Sequence, residues 1–203
     1  VSFLTRRIVI SVDGEIAIVR RIAALFARSP APDRKAVEVG PLASPSATAS
    51  AYLDELDARF GFLPAESADA GDAPFDTLLM DGSAVVALAS GDAPTRTYLR
   101  AALARGANVT IAASALADPR VAALAQRVAA VIDVDDRAGN EAARLISETR
   151  LRLPLDALNV ACAPAGLRVA ILTADPAGLG ALVRATGRSD LNVIRVGARL
   201  RRG

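Results

Sequence analysis

The chain has no histidine, no tryptophan and a single cysteine, Cys162, among its 203 residues. The missing imidazole removes the commonest general base and the commonest zinc ligand. One thiol permits neither an intramolecular disulfide nor a cysteine-based zinc cluster. Chemistry in this protein therefore has to run on carboxylates, hydroxyls and metal. Aromatic residues make up 3% of the chain, too few for a platform that stacks the bases of a single strand. Long apolar runs are also absent, because arginines and acids interrupt every stretch approaching the roughly 18 residues of a membrane span. Arg6, Arg7, Asp13 and Glu15 likewise break up the apolar core that a signal peptide needs, so the expectation is a cytoplasmic protein with no membrane partner.

What is present is a hydrophobic content of 52% and a mean hydropathy of +0.33, ample for a buried core. Charge is divided along the chain. Residues 1–28 hold five arginines against Asp13 and Glu15, residues 29–75 hold eight acids against Arg34, Lys35 and Arg59, and residues 76–203 hold sixteen arginines against twelve acids. An arginine excess suits a polyanionic partner, since guanidinium grips phosphate bidentately. The middle stretch is rich in Pro, Ala, Ser and acids and reads as a linker. Within it Tyr52, Leu53, Leu56 and Phe60 predict one short amphipathic helix over 51–60. Ahead of it, Arg6 to Val12 alternates like a strand and Ala17 to Arg28 reads as a helix.

From Asp76 onward, short apolar runs alternate with helical segments. Strands are predicted at 77–80, 107–112, 131–134, 169–172 and 191–196. Helices are predicted at 84–89, 95–105, 114–129, 138–150, 154–163 and 176–185. This is the pattern of an α/β fold, three layers with a central, mainly parallel five-stranded sheet, carrying an N-terminal extension. Such sheets bind ligands beyond the carboxyl ends of their strands. Asp81 follows the first strand there and Asp175 follows the fourth. Asp118 opens the segment after the second strand, and Asp156 lies in the first turn of a helix begun by Pro154. A cluster of carboxylates meets the preference of Mg²⁺ or Mn²⁺ for oxygen ligands. Purely architectural roles compete: Asp118-Pro119 and Asp175-Pro176 fit an N-cap followed by proline, and Asp156 suits the positive end of its helix. Cys162 extends an apolar stripe and reads as a core thiol, while Asp133, Asp135 and Asp136 read as solvated or capping. No glycine-rich phosphate loop follows the first strand to favour a small-ligand α/β domain.

Three segments carry a resemblance. Leu78-Leu79-Met80-Asp81-Gly82-Ser83, Pro154-Leu155-Asp156-Ala157-Leu158, and Ile171-Leu172-Thr173-Ala174-Asp175-Pro176 resemble, in order, motifs of the PIN-domain ribonucleases, the toxins of VapBC-type toxin–antitoxin pairs. The resemblance spans residues 76–196. It implies a Mg²⁺- or Mn²⁺-dependent endoribonuclease in which Asp81, Asp118, Asp156 and Asp175 hold metal and Ser83 and Thr173 support them. It implies RNA as substrate and an antitoxin, cognate or fused, as partner, and leaves a homodimer open. Departures from the family pattern are aspartate-proline at 118–119, where glutamate is common, and Gly178, where a further acid is common. Residues 1–28 look like the start of a ribbon-helix-helix antitoxin, which would bind DNA, and Leu53 to Pro64 resembles an antitoxin's toxin-binding tail. The same features are compatible with a catalytically inactive PIN-fold binding protein.

Overall fold

The computed structural model describes residues 45–61, 75–117 and 119–197. The strand and helix expected within 1–28, the segment 62–64, Asp118, and Arg199, Arg201 and Arg202 lie outside the described residues. Five strands form one sheet: β1 (Thr77–Met80), β2 (Asn108–Ala112), β3 (Ala130–Ile132), β4 (Val169–Thr173) and β5 (Leu191–Arg195). Their order is β3-β2-β1-β4-β5 and every pairing is parallel. The expectation of a mainly parallel sheet is thus met by an entirely parallel one.

Helices cover both faces because the central strands are apolar on both. All of Thr-Leu-Leu-Met in β1 and Val-Ala-Ile-Leu-Thr in β4 is buried. Successive side chains point to opposite faces, so Leu79, Val169 and Ile171 pack beneath α5 (Asp136–Thr149), α6 (Pro154–Ala161) and α7 (Pro176–Ala185). Leu78, Met80, Ala170 and Leu172 point the other way. They pack with α1 (Pro45–Phe60), α2 (Gly82–Ala89), α3 (Ala93–Ala104) and α4 (Pro119–Val128).

Two expectations are corrected in detail. The continuous helix expected over 114–129 is two elements, a 3₁₀ turn at Ala113–Ala117 and then α4. Pro119 has no N–H to give to a helix running through it, whereas at a helix start that loss is harmless. The short helix expected over 51–60 is longer and starts at Pro45. It is packed as part of the molecule, with Ala49, Tyr52, Leu53 and Leu56 buried against the layer that contains α3 and α4.

Polar contacts fix α1 in register. Asp57 pairs with Arg96 at 2.8 Å and with Arg100, and Arg96 also donates to the Gly61 carbonyl at 2.8 Å. On α4, Arg127 pairs with Glu55 at 2.6 Å and lies over the Tyr52 ring at 4.4 Å. The Phe60 ring sits on Gly91, a residue at φ 78° where a Cβ would come within 2.5 Å of that ring. Cys162 is buried, which pushes its thiol up to about 11, as expected of a core thiol. Asp135 caps α5 through the Ala138 N–H at 2.7 Å, and Asp133 and Asp136 are exposed. Among the described residues no helix is long and apolar enough to cross a membrane.

Candidate functional site

The chain runs outward from β1 through β2 to β3, then returns to lay β4 against the other side of β1. That reversal opens a crevice at the carboxyl ends of β1 and β4, where open parallel sheets take their ligands. Asp81 leaves β1 at this point, its own N–H donating to the Leu172 carbonyl of β4 at 3.1 Å. Thr173 ends β4, Asp175 follows it, and Asp156 arrives in the first turn of α6. These four residues and Ser83 line one cavity of about 770 Å³. Five of the six residues singled out from the sequence therefore come together; the sixth, Asp118, lies outside the described residues.

Local chemistry explains the arrangement. Asp81 is the N-cap of α2, its Oδ1 accepting from the Ala84 N–H at 2.7 Å and from the Ser83 hydroxyl at 2.6 Å. Ser83 Oγ in turn accepts from the Ala174 N–H at 2.8 Å, which ties the end of β1 to the end of β4. Thr173 Oγ1 accepts from the Asp175 N–H at 3.0 Å. Ser83 and Thr173 thus hold the backbone that carries the acids. Asp175 stands at the N-cap position of α7 ahead of Pro176, yet its side chain makes no capping bond and is exposed. The architectural reading of Asp175-Pro176 accounts for the proline and leaves the carboxylate without that role.

The electrostatics are one-sided. Asp81 is 6% exposed, and burial raises its pKa against the opposing hydrogen bonds from Ser83, Thr173 and Ala84. Asp156 is pushed up to about 6, first by burial and then by the charges of Asp81 and Asp175. Among the described residues none of the three acids belongs to an ion pair. Carboxylates gathered without a cation favour protonation or a bound positive ion. The donor set suits a hard cation in being all oxygen. Its spacing is looser than a closed coordination shell: among the described residues no three acids stand close enough to hold one ion between them.

Three further residues on the cavity wall escaped the sequence reading. Asp92 caps α3, its Oδ2 accepting from Thr95 N at 3.0 Å, Thr95 Oγ1 at 2.6 Å and Gly197 N at 3.1 Å. Its signal was the Asp92-Ala93-Pro94 spacing, and three donors on one oxygen mark a structural task. Asn159 and Ser114 also line the cavity, both buried. Asn159 follows Asp156 by three residues, the one hint available, while nothing in the sequence marks Ser114. At Gly178, where an acid was noted as missing, a Cβ would stand 2.2 Å from Leu153 Cδ1, so Leu153 fills the room that a side chain there would need.

Comparison with protein-family models, with curated proteins and with solved structures found no match to this chain.

Proposed function

We propose that this protein is a metal-dependent endoribonuclease of the PIN-domain type, acting on RNA in the cytoplasm. The observation that carries the reading is the meeting of Asp81, Asp156 and Asp175 in one cavity at the β1–β4 crevice, with Asp156 pushed up to about 6 by burial and then by the charges of the other two. An acidic pocket repels a polyanionic substrate unless a cation bridges them, and Mg²⁺ or Mn²⁺ is the cation that oxygen ligands select. In this reading Asp81, Asp156 and Asp175 hold the ion partly through the waters that Mg²⁺ keeps, which spans their spacing, with Asp118 assisting. When bound, it supplies positive charge to the scissile phosphate and acidifies water. Ser83 and Thr173 keep the acids in place. The three PIN-like motifs fall on the residues that line this cavity, which adds to the reading. Of the antitoxin-like segment 53–64, residues 53–60 belong to α1, whose Phe60 packs on Gly91 of the cavity wall, so a segment acting in cis would stand beside the site.

A second reading, a catalytically inactive protein of the same fold that works by binding, is favoured by the wide spacing of the acids and by Leu153 occupying the space beside Gly178. Cleavage of mixed-sequence single-stranded RNA by the full chain separates the two. The nuclease reading expects cutting in Mg²⁺ or Mn²⁺, none in EDTA, and a loss of about 100-fold or more in Asp81→Asn and Asp175→Asn. A folded chain that cuts no RNA in either metal establishes the binding reading instead, and full activity in Asp81→Asn removes the site.

A further inference from the structure

Natural interiors rarely leave a polar side chain without a partner, and each exception calls for an explanation. This cavity has two on its wall. Asn159 is 3% exposed with neither Nδ2 nor Oδ1 hydrogen-bonded, and Ser114 is 1% exposed with its Oγ equally unpartnered. They come from adjoining elements, Asn159 from α6 and Ser114 from the 3₁₀ turn that packs against it. Asn159 lies three residues beyond Asp156, so the two share a helix face about 5–6 Å apart at Cβ. A leucine at 159 would fill similar volume and spare the fold an unsatisfied amide. Retaining the amide makes sense where something outside the folded chain completes it.

Resting on the ribonuclease reading, we propose that Asn159 and Ser114 form a neutral ledge that binds the ribose 2′-hydroxyl next to the scissile phosphate. Their chemistry points there. Amide oxygen accepts, amide nitrogen donates and the serine hydroxyl does both, which matches a group that is itself donor and acceptor. A phosphate would take cations or donors alone. The 2′-hydroxyl belongs to the sugar that adjoins the scissile phosphate, and Asn159 stands one helical turn from Asp156, the acid proposed to hold the cation there. Both polar ends are closed off from solvent, so binding in this proposal includes a side-chain rotation that turns them into the cavity. The 2′-hydroxyl is also what distinguishes RNA from DNA, so the ledge would set sugar selectivity.

The test measures binding of the full chain to labelled single-stranded RNA and DNA of one sequence, with Ca²⁺ replacing Mg²⁺ so that affinity is read without cutting. The wild type should favour RNA by about tenfold or more, the worth of one well-made polar contact. Asn159→Leu and Ser114→Ala should bring that ratio toward one, leaving DNA affinity unchanged and the urea midpoint equal or higher. Ser114→Thr, which keeps the hydroxyl, should retain the preference. Equal wild-type affinity for the two sugars overturns the ledge, as does a preference that persists in both ledge variants or a loss that weakens RNA and DNA alike. If Asn159→Leu fails to fold, Ser114→Ala decides by the same criteria. Cleavage in Mg²⁺ or Mn²⁺ is scored separately, so a sugar preference without cutting supports the ledge while refuting the nuclease.

Discussion

Replacing Asp156 by asparagine should stabilise the protein at neutral pH while damaging its proposed activity. The carboxyl is held at about 6 in place of 3.8, so ionising it in the folded state costs at most about 3 kcal/mol at 1.36 kcal/mol per tenfold. Asp156 is partly open to solvent, and screening reduces this to about 1–2 kcal/mol. The sign follows from proton counting. A folded-state pKa above the unfolded one means that between pH 4 and 6 the native protein holds more protons than the unfolded chain. Stability from this group is complete below about pH 4, falls as pH rises through about 6, and is flat beyond. Asparagine has no proton to lose, so variant and wild type should diverge over that window. Asp81 is raised in the same direction but is present in both chains, and the difference isolates position 156. Urea unfolding followed by far-ultraviolet circular dichroism at pH 4 and 7.5 measures it. Adding Mn²⁺ at pH 7.5 should then raise the midpoint of the wild type and leave Asp156→Asn little changed, since a ligand stabilises only the state that binds it. Parallel pH curves for the two chains, or a variant less stable at pH 7.5, would refute the claim that burial and the neighbouring carboxylates oppose ionisation of Asp156.

Further substitutions test the packing of α1 and of the wall beside Gly178. Asp57→Ala leaves Arg96, 3% exposed, without its carboxylate and should cost about 3–5 kcal/mol in urea unfolding; Glu55→Ala, which breaks an exposed pair with Arg127, should cost under about 1 kcal/mol. Gly178→Asp drives a Cβ into Leu153 and should lose about 1–3 kcal/mol, largely recovered in the double variant with Leu153→Ala. Equal costs for the single and double variants would show that Leu153 is not the obstacle.

How much of this was legible before any coordinates follows from where each piece of information is stored. The strands read at 77–80 and 169–172 were legible because burial on both faces demands an unbroken apolar run, and Asp81 was readable as the acid that ends one. The convergence of Asp156 with Asp81 and Asp175 was not, because spacing along a chain says nothing about proximity through a return crossover; the family-like motifs suggested it without showing it. Helix α1 was seen as a helix but not as part of the core. Its flanks have linker composition, and the partners that anchor Asp57, Arg96 and Arg100, lie about forty residues away. Asn159 and Ser114 became visible only as atoms lacking partners, a property that exists in three dimensions alone.

The acids of this cavity can be ranked by the hydrogen bonds that the fold already asks of them. Asp92 gives one oxygen to three donors and is committed to holding α3 and Gly197. Asp81 caps α2 and receives Ser83, so it combines an architectural task with its place in the cavity, which makes Asp81→Asn a reasonably conservative probe: asparagine caps nearly as well as aspartate. Asp175 takes a capping position without capping, and every influence resolved on Asp156 raises its pKa with no donor opposing. Carboxylates that the fold has positioned but not satisfied are the ones whose partner must come from outside the chain. By that criterion Asp156 and Asp175, more than the better-bonded Asp81, should govern cation affinity, and substituting either should weaken Mn²⁺ binding more than Asp81→Asn does.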